Sequence, residues 1–218
     1  MMNKVVSLER VRPLLKDGMS IMIGGFLACG TPEKMIDLLI ETKVKDLTII
    51  ANDTSFIDRG IGKLIVNGQV KRVVASHIGT NAETGRLMTE GKMEVELVPQ
   101  GTLIERIRAA GAGLGGVLTP TGVGTMVEEG KQKLTIEGKE YLLELPIKAD
   151  LALVFASVVD EIGNAVYYGT TRNFNPLIAT AAEIVIVEAE KIVKVGMLDP
   201  NNIITPSVLV DYIIGEES

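Results

Sequence analysis

Short apolar runs recur along the chain and are separated by segments whose apolar residues repeat every three or four positions. The runs lie at residues 20–23, 47–51, 151–155 and 184–187, and residues 70–76 are also strand-like. Runs of this length predict strands, and the last two, which are continuously apolar, predict strands that are covered on both faces. Strands that alternate with helices predict an α/β fold with a mostly parallel sheet and helices on both faces.

Helical periodicity fills several of the intervals between these runs. Predicted helices include residues 8–15, 35–40, 62–66, 103–107 and 176–182. Residues 93–98 instead alternate between apolar and polar positions with period two. This alternation predicts a half-exposed strand at the edge of the sheet, with Glu94 and Glu96 on its exposed face.

The organisation of the chain is that of a single unit. It shows no internal repeat and no linker, so residues 1–218 are predicted to form one domain. Residues 161–164 predict a hairpin turn. Residues 131–139, which are charged and contain glycine, predict an exposed excursion within the domain.

A glycine-rich loop at residues 24–30 connects the first predicted strand to the following helix. Glycine lets the backbone turn tightly and approach a ligand closely. Thr31 is a suitable N-cap for the helix, and Pro32 at the first helical position has no amide to leave unpaired. The helix N-terminus would then offer free amides to an anion, such as a pyrophosphate, a carboxylate or the oxyanion of an attacked thioester.

The spacing of the glycines argues against two classes of nucleotide ligand. Gly24, Gly25 and Gly30 do not have the Rossmann spacing. Gly25 and Gly30 have the P-loop interval, but the lysine that this motif requires is missing. NAD and ATP are therefore disfavoured, while a tight turn that binds nothing stays open as an alternative.

Composition and charge argue against several classes of function. A formal net charge of −6 and an aromatic fraction of 4% disfavour nucleic acid as a partner. Cys29 and His77 are the only residues of their types, so neither an internal disulfide nor a metal site is expected. No apolar run approaches the roughly 20 residues of a membrane span, and the N-terminus lacks an apolar signal segment. We therefore expect a soluble, cytoplasmic protein whose partners are small anionic metabolites and other protein chains.

Residues 17–32 resemble the A-subunit signature of the 3-oxoacid CoA-transferases. The shared pattern is an Asp-Gly pair, an apolar strand, Gly-Gly-Phe, three variable residues and Gly-x-Pro. Further blocks that resemble the family follow in the same order, so the likeness covers nearly the whole chain. They lie at residues 94–108, 119–125, 169–176 and 198–206. Residues 52–54 and 113–118 look most like the clostridial butyrate–acetoacetate branch.

The resemblance implies a CoA-transferase-type open α/β fold and transfer of CoA between short-chain acids such as acetoacetate, butyrate and acetate. In this family a glutamate of the B subunit attacks the acyl-CoA thioester, and a glutamyl-CoA thioester forms before a second acid takes the CoA. This chain has no Ser-Glu-Asn-Gly-like segment that would hold such a glutamate, and residues 161–164 are the nearest look-alike. The implied partner is a B subunit in an α2β2 assembly. CoA and acyl-CoA are implied as substrates, with no permanently bound cofactor.

The resemblance also implies which residues form the site. The CoA-binding region is expected at Gly24, Gly25, Phe26, Leu27, Ala28, Cys29 and Gly30. Gln100, at a predicted strand end, is expected to point its amide at the reacting acyl group, where a neutral donor can hold an oxygen without acting as a nucleophile. Asn52 and Asp53 also follow a strand end and are candidate acyl-pocket residues.

Three alternatives stay open at this point. Cys29 and His77 would make a nucleophile–base pair if the fold brought them together, although a small apolar filler and a satisfied strand-end histidine are the commoner roles. The glycine loop would also suit a phosphate- or CoA-binding regulatory module without transferase activity. A sugar-phosphate isomerase of related fold would need an acid–base pair of its own.

Overall fold

The structure, a computed structural model, describes residues 3–215. Its strands are β1 (Ser20–Ile23), β2 (Leu47–Ile50), β3 (Val70–Ala75), β4 (Glu94–Leu97), β5 (Val117–Thr119), β6 (Lys133–Ile136), β7 (Lys139–Glu144), β8 (Ala149–Asp160), β9 (Ala165–Val166), β10 (Ala182–Val193) and β11 (Tyr212–Ile214). Its α-helices are α1 (Leu8–Val11), α2 (Glu33–Thr42), α3 (Gly62–Val66), α4 (Ala82–Thr89), α5 (Gln100–Gly111) and α6 (Asn175–Ile178). The predicted alternation of strands and helices is confirmed.

The main sheet has the strand order β11-β10-β8-β1-β2-β3-β4, and β9 pairs with β8 off this path. Neighbours along the main order are parallel, whereas β9 is antiparallel to β8. The β8–β9 connection is the hairpin turn predicted at residues 161–164. The predicted position of β4 at the edge of the sheet is likewise confirmed.

Each face of the sheet buries its own apolar cluster. Met22 points into a cluster with Leu103 and Ile107 of α5, while its neighbours Ile21 and Ile23 point into a second cluster with residues of α2 and α3. This division follows from the strand geometry, in which successive side chains alternate between the two faces. The predicted mostly parallel sheet with helices on both faces is therefore confirmed.

A second, three-stranded antiparallel sheet of order β5-β7-β6 extends the sequence-based prediction. Residues 131–139, expected as an exposed excursion, contain β6 and the turn that leads into β7, with Glu137 and Gly138 in left-handed conformations. Glu144 at the end of β7 is buried and forms ion pairs with Lys131 and Arg106. The first pair joins the start of this segment to the end of β7, and the second ties the small sheet to α5, which packs on the main sheet.

The start of α2 differs from the prediction by one residue. The helix begins at Glu33, and Pro32 is the N-cap, whose carbonyl accepts the amide of Ile36 at 3.1 Å. Thr31 was therefore wrongly predicted as the cap. Its hydroxyl lies only 2.0 Å from the position that a β-carbon on Gly25 would take, so the Thr31 side chain packs against that glycine instead.

Two further properties bear on partners and cofactors. Within residues 3–215, no helix is long and apolar enough to cross a membrane. The same described part of the chain contains no cluster of three or more His, Cys, Asp or Glu side chains that could hold a metal ion.

Candidate active site

A cavity of about 400 Å³ lies at the carboxyl ends of β1, β2, β3 and β4. Ligands of open α/β sheets bind at this edge because the loops that follow parallel strands converge there. The lining residues are Phe26, Leu27, Asn52, Asp53, Ser76, His77, Thr80 and Gln100. The segment that follows each of the four strands therefore contributes at least one side chain to a single concave site.

The glycine loop after β1 forms a tight turn at the mouth of this cavity. Phe26 and Cys29 exchange two backbone hydrogen bonds of 3.0 and 2.9 Å across it. The two residues between them, Leu27 and Ala28, have φ values of +47° and +66°, a left-handed conformation that costs a residue with a β-carbon roughly 1–2 kcal/mol. Phe26 and Leu27 remain substantially exposed, so the turn presents apolar side chains to the cavity.

Three glycines of this loop are required by close packing. A β-carbon on Gly24 would lie 1.7 Å from the side-chain oxygen of Asn175, and one on Gly30 would lie 2.8 Å from the α-carbon of Thr171. A β-carbon on Gly25 would lie 2.0 Å from the Thr31 hydroxyl. Any side chain at these positions would displace its neighbour, so the loop can take this course only with glycine.

A chain of hydrogen bonds joins the predicted acyl-pocket residues to the predicted amide donor. Gln100 Nε2 donates to Asn52 Oδ1 at 2.5 Å, and Asn52 Nδ2 donates to Asp53 Oδ2 at 2.7 Å. The amide of Leu27 donates to the same Asp53 oxygen at 3.0 Å. The loops after β1, β2 and β4 are therefore coupled through one buried carboxylate.

Among the described residues, Asp53 is the only carboxylate that lines the cavity, and it is 5% exposed. Oδ2 carries the two bonds just described, and Oδ1 accepts the amide of Ser55 at 2.7 Å. Because both of its oxygens are engaged, Asp53 orders the surrounding loops and is poorly placed to act as a nucleophile.

Gln100 occupies a different element from the one predicted. It is the first residue of α5, whereas β4 already ends at Leu97. The side chain is exposed, and one of the two hydrogens on Nε2 is used in the bond to Asn52. The second hydrogen can be donated to a bound oxygen.

His77 lines the cavity and Cys29 does not, so the structure does not place the two as a nucleophile–base pair in this site. His77 lines the cavity, is exposed, and its imidazole has no hydrogen-bond partner among the described residues, so the expected satisfied histidine is not found. Cys29 lies outside the lining, on the far arm of the Phe26–Cys29 turn, and is exposed. The cavity therefore contains an imidazole without a thiol beside it.

The anion site predicted at the start of α2 is already occupied by the chain itself. Glu188, on β10, accepts the amide of Met35 on Oε2 at 3.0 Å in a buried environment. Burial raises the pKa of Glu188, and the bonds from the backbone amides of Met35 and Lys34 oppose that shift only in part. The prediction of free amides at this helix end is therefore wrong, since an internal carboxylate occupies the place of an external anion.

Other residues that shape the site were assigned no role from the sequence. Ser76 and Thr80, after β3, line the cavity and hold the loop after β2 through bonds to the carbonyls of Asn52 and Ser55, each of 2.7 Å. Residues 169–176 belong to a block that resembles the family, and they bond to the glycine loop through Asn173 and Asn175. The conspicuous Asn-Phe-Asn triplet of this block, at residues 173–175, was the available signal.

Comparisons with known proteins identify the family to which the chain belongs. The family model described as Coenzyme A transferase matches residues 7–216. The chain is 58% identical over 214 residues to the acetate CoA-transferase subunit alpha of Escherichia coli K12, which covers 98% of this chain and 97% of the relative. It is 57% identical over 216 residues to the acetoacetyl-CoA:acetate/butyrate CoA transferase alpha subunit of Clostridium acetobutylicum, with 99% of each chain covered. The chain therefore belongs to the Coenzyme A transferase family.

Solved structures extend the likeness to the fold. The acyl-CoA transferase of Escherichia coli O157:H7, solved as a thioester complex with CoA, superposes with a TM-score of 0.85 at 25% identity over 98% of this chain. This chain spans only 47% of that protein's length. The glutaconate CoA-transferase of Acidaminococcus fermentans, at 20% identity, shares the fold with a TM-score of 0.83 over 97% of this chain and 75% of the other.

Proposed function

We propose that this chain is the A subunit of a short-chain acyl-CoA:carboxylate CoA-transferase that acts on acetoacetate, butyrate and acetate. The two alpha subunits that it resembles at 57–58% identity, named for acetate and for acetoacetyl-CoA with acetate or butyrate, support this substrate class. Both are named as alpha subunits, which supports a B subunit as the partner. CoA and acyl-CoA are substrates in this proposal and are not resident cofactors.

The observation that carries the proposal is a cavity with a neutral amide donor but no available carboxylate nucleophile. Gln100 offers a free N–H to a bound oxygen, while Asp53, the one carboxylate of the lining, has both oxygens engaged. Covalent catalysis at such a site requires a nucleophile from another chain. A glutamate of the B subunit, placed over this cavity, would complete the site.

In this proposal CoA is transferred first from the acyl group to the glutamate and then from the glutamate to a second acid. The B-subunit glutamate attacks the thioester carbonyl of acyl-CoA, the C–S bond breaks, and CoA leaves as a thiolate from an acyl-glutamyl anhydride. The thiolate attacks the glutamyl carbonyl and releases the first acid as its carboxylate. A second carboxylate repeats both steps in reverse and departs as the new acyl-CoA, which gives ping-pong kinetics.

Within this scheme the residues of the A subunit bind and orient. The free N–H of Gln100 would stabilise the oxyanion that develops on the attacked carbonyl, an effect typically worth about 10²–10³ in rate for one donor. Phe26 and Leu27 would contact the acyl chain or the pantetheine arm, because they are the apolar side chains of the lining. Asn52 and Asp53 would fix the orientation of Gln100.

The test is an assay of CoA transfer from acetoacetyl-CoA to acetate or butyrate, followed by the loss of acetoacetyl-CoA absorbance. The chain should be inactive alone, as should the B subunit, and activity should appear only when the two are combined. Transfer by this chain alone would contradict a nucleophile on the B subunit. Binding of CoA without transfer in the mixture would favour a regulatory module. The mass of the active complex, determined by light scattering, tests the α2β2 assembly.

A further inference from the structure

Two asparagines from the block at residues 169–176 hold the glycine loop at both of its ends. Asn173 Oδ1 accepts the amide of Gly25 at 3.1 Å, and Asn173 Nδ2 donates to the carbonyls of Cys29 at 3.1 Å and of Thr170 at 2.7 Å. One side chain thus bonds on both sides of the strained pair Leu27 and Ala28, to Gly25 two residues before it and to Cys29 directly after it.

Asn175 supports the same loop from beneath. It is fully buried, its Nδ2 donates to the carbonyl of Gly30 at 2.9 Å, and its Oδ1 accepts the amide of Phe155 at 2.8 Å. Its side chain also fills the space that a β-carbon on Gly24 would need. The position of Asn175 therefore fixes both the first and the last glycine of the loop against β8.

These bonds from outside the loop matter because the backbone of the loop is strained. Leu27 and Ala28 both have positive φ, a conformation that residues with a β-carbon leave unless the surroundings hold them there. The turn's own two hydrogen bonds join Phe26 to Cys29. The bonds from Asn173 restrain the flanks of that turn, so their loss would free it to relax.

We propose that Asn173 and Asn175 are positioning residues for CoA transfer, which hold residues 24–30 in the strained turn that places Phe26 and Leu27 in the cavity wall. Neither asparagine lines the cavity, so they act through the loop and not on the substrate. This proposal rests on the proposed function for its catalytic consequence, but its structural part can be tested without any activity.

The experiment uses Asn173, which is partly exposed, because removal of the buried Asn175 endangers folding. In the complex with the B subunit, Asn173→Ala should lower kcat/KM about 100-fold. Asn173→Asp keeps the acceptor for the amide of Gly25 but loses the donor to the carbonyl of Cys29. Its kcat/KM should lie between that of wild type and that of Asn173→Ala. The matched control Asn202→Ala removes an exposed asparagine that bonds only to Asp199 and should leave activity unchanged.

A double-mutant cycle separates positioning from general stabilisation. Ala28→Gly removes the backbone strain at one of the two strained positions, so the loss of kcat/KM caused by Asn173→Ala should be at least about fivefold smaller in the Ala28→Gly background than in wild type. A merely structural Asn173 predicts equal losses in both backgrounds. Equal losses, or wild-type kcat/KM in Asn173→Ala, would overturn the proposal.

A second readout does not depend on transfer. Cys29 is the only cysteine of the chain and lies at the end of the turn, so its alkylation by iodoacetamide, followed by mass spectrometry on the full chain, reports the loop conformation. Asn173→Ala should change this rate at least about threefold, and Asn202→Ala should not. If the wild-type complex transfers no CoA, the proposed function fails, while the alkylation rates still decide whether Asn173 holds the loop. An unchanged rate would refute the positioning role in either case.

Discussion

Gly24→Ala is the smallest change that tests how tightly the glycine loop is packed. The added β-carbon would lie 1.7 Å from Oδ1 and 2.4 Å from Cγ of Asn175, whereas ordinary contacts begin at 3.4 Å. The backbone of Gly24 is not in the left-handed region, so the cost arises from this overlap alone. Either the loop or Asn175 must move by more than an ångström.

The magnitude follows from what that movement breaks. The side chain of Asn175 is fully buried and bonds to the amide of Phe155 and to the carbonyls of Gly30 and Thr171. Each buried group left without a partner costs about 1–3 kcal/mol, and overpacking adds a further 1–3 kcal/mol or so. The lower entropy of the unfolded alanine chain offsets about 0.4–1 kcal/mol. We expect a net loss of roughly 3–6 kcal/mol.

The assay is thermal unfolding of the purified chain, followed by circular dichroism at one protein concentration. For a chain of this size the expected loss lowers Tm by about 10–20 °C. The control is Gly85→Ala in α4, where no heavy atom lies within 4 Å of the added β-carbon. It should raise Tm by about 1–3 °C through helix propensity. A Tm for Gly24→Ala within about 2 °C of wild type would show that the packing argument is wrong.

Three further changes test the site and its surroundings. In the assembled enzyme, Gln100→Ala should lower kcat/KM about 100-fold. Tm should change little, because the exposed side chain of Gln100 makes a single hydrogen bond. A large drop in Tm would contradict this reasoning. Burial raises the pKa of Glu188 above 4.5, so its contribution to stability is full below that pH and is lost as the pH rises through the folded pKa. Any stability advantage of Glu188→Gln over wild type in urea unfolding should therefore grow as the pH rises above 4.5. Lys131→Ala should lower the free energy of unfolding, measured in the same assay, by about 1–3 kcal/mol. Glu144, which is 2% exposed, would lose its partner at 2.6 Å and keep Arg106 at 3.8 Å.

The central strands of the main sheet could be predicted from the sequence because they are apolar on both faces. Runs such as residues 151–155 and 184–187 lie within β8 and β10, and each strand extends to 12 residues because the two pair along their whole length. The small sheet of β5, β6 and β7 could not be predicted in this way. Much of β6 is exposed, so its residues carry little apolar signal and its position depends on pairing with β7.

The places of Asn52 and Gln100 in the candidate cavity were predictable because each follows a strand end. Asn52 and Gln100 follow β2 and β4, and parallel strands bring such positions to one edge of the sheet. The support of the glycine loop was not predictable, because Asn173 lies 144 residues from Cys29 in the sequence and meets it only through the packing of the segment after β9 against β1. A local pattern cannot specify such a contact, nor could it reveal that Glu188 of β10 accepts the amide of Met35 in the first turn of α2.

The charges around the cavity suit the proposed mechanism, in which the nucleophile comes from a partner chain. A neighbouring cation weakens a carboxylate nucleophile because it stabilises the carboxylate's charge, and a neighbouring free anion raises the carboxyl pKa and so favours the protonated, unreactive form. Among the described residues that line the cavity there is no lysine or arginine, and the charge of Asp53 is already met by three N–H donors, those of Leu27, Asn52 and Ser55. A carboxylate brought by the B subunit would therefore enter a polar but nearly neutral site. The charge that develops on the attacked carbonyl would then be met by the amide of Gln100, which stabilises the transition state without quenching the nucleophile.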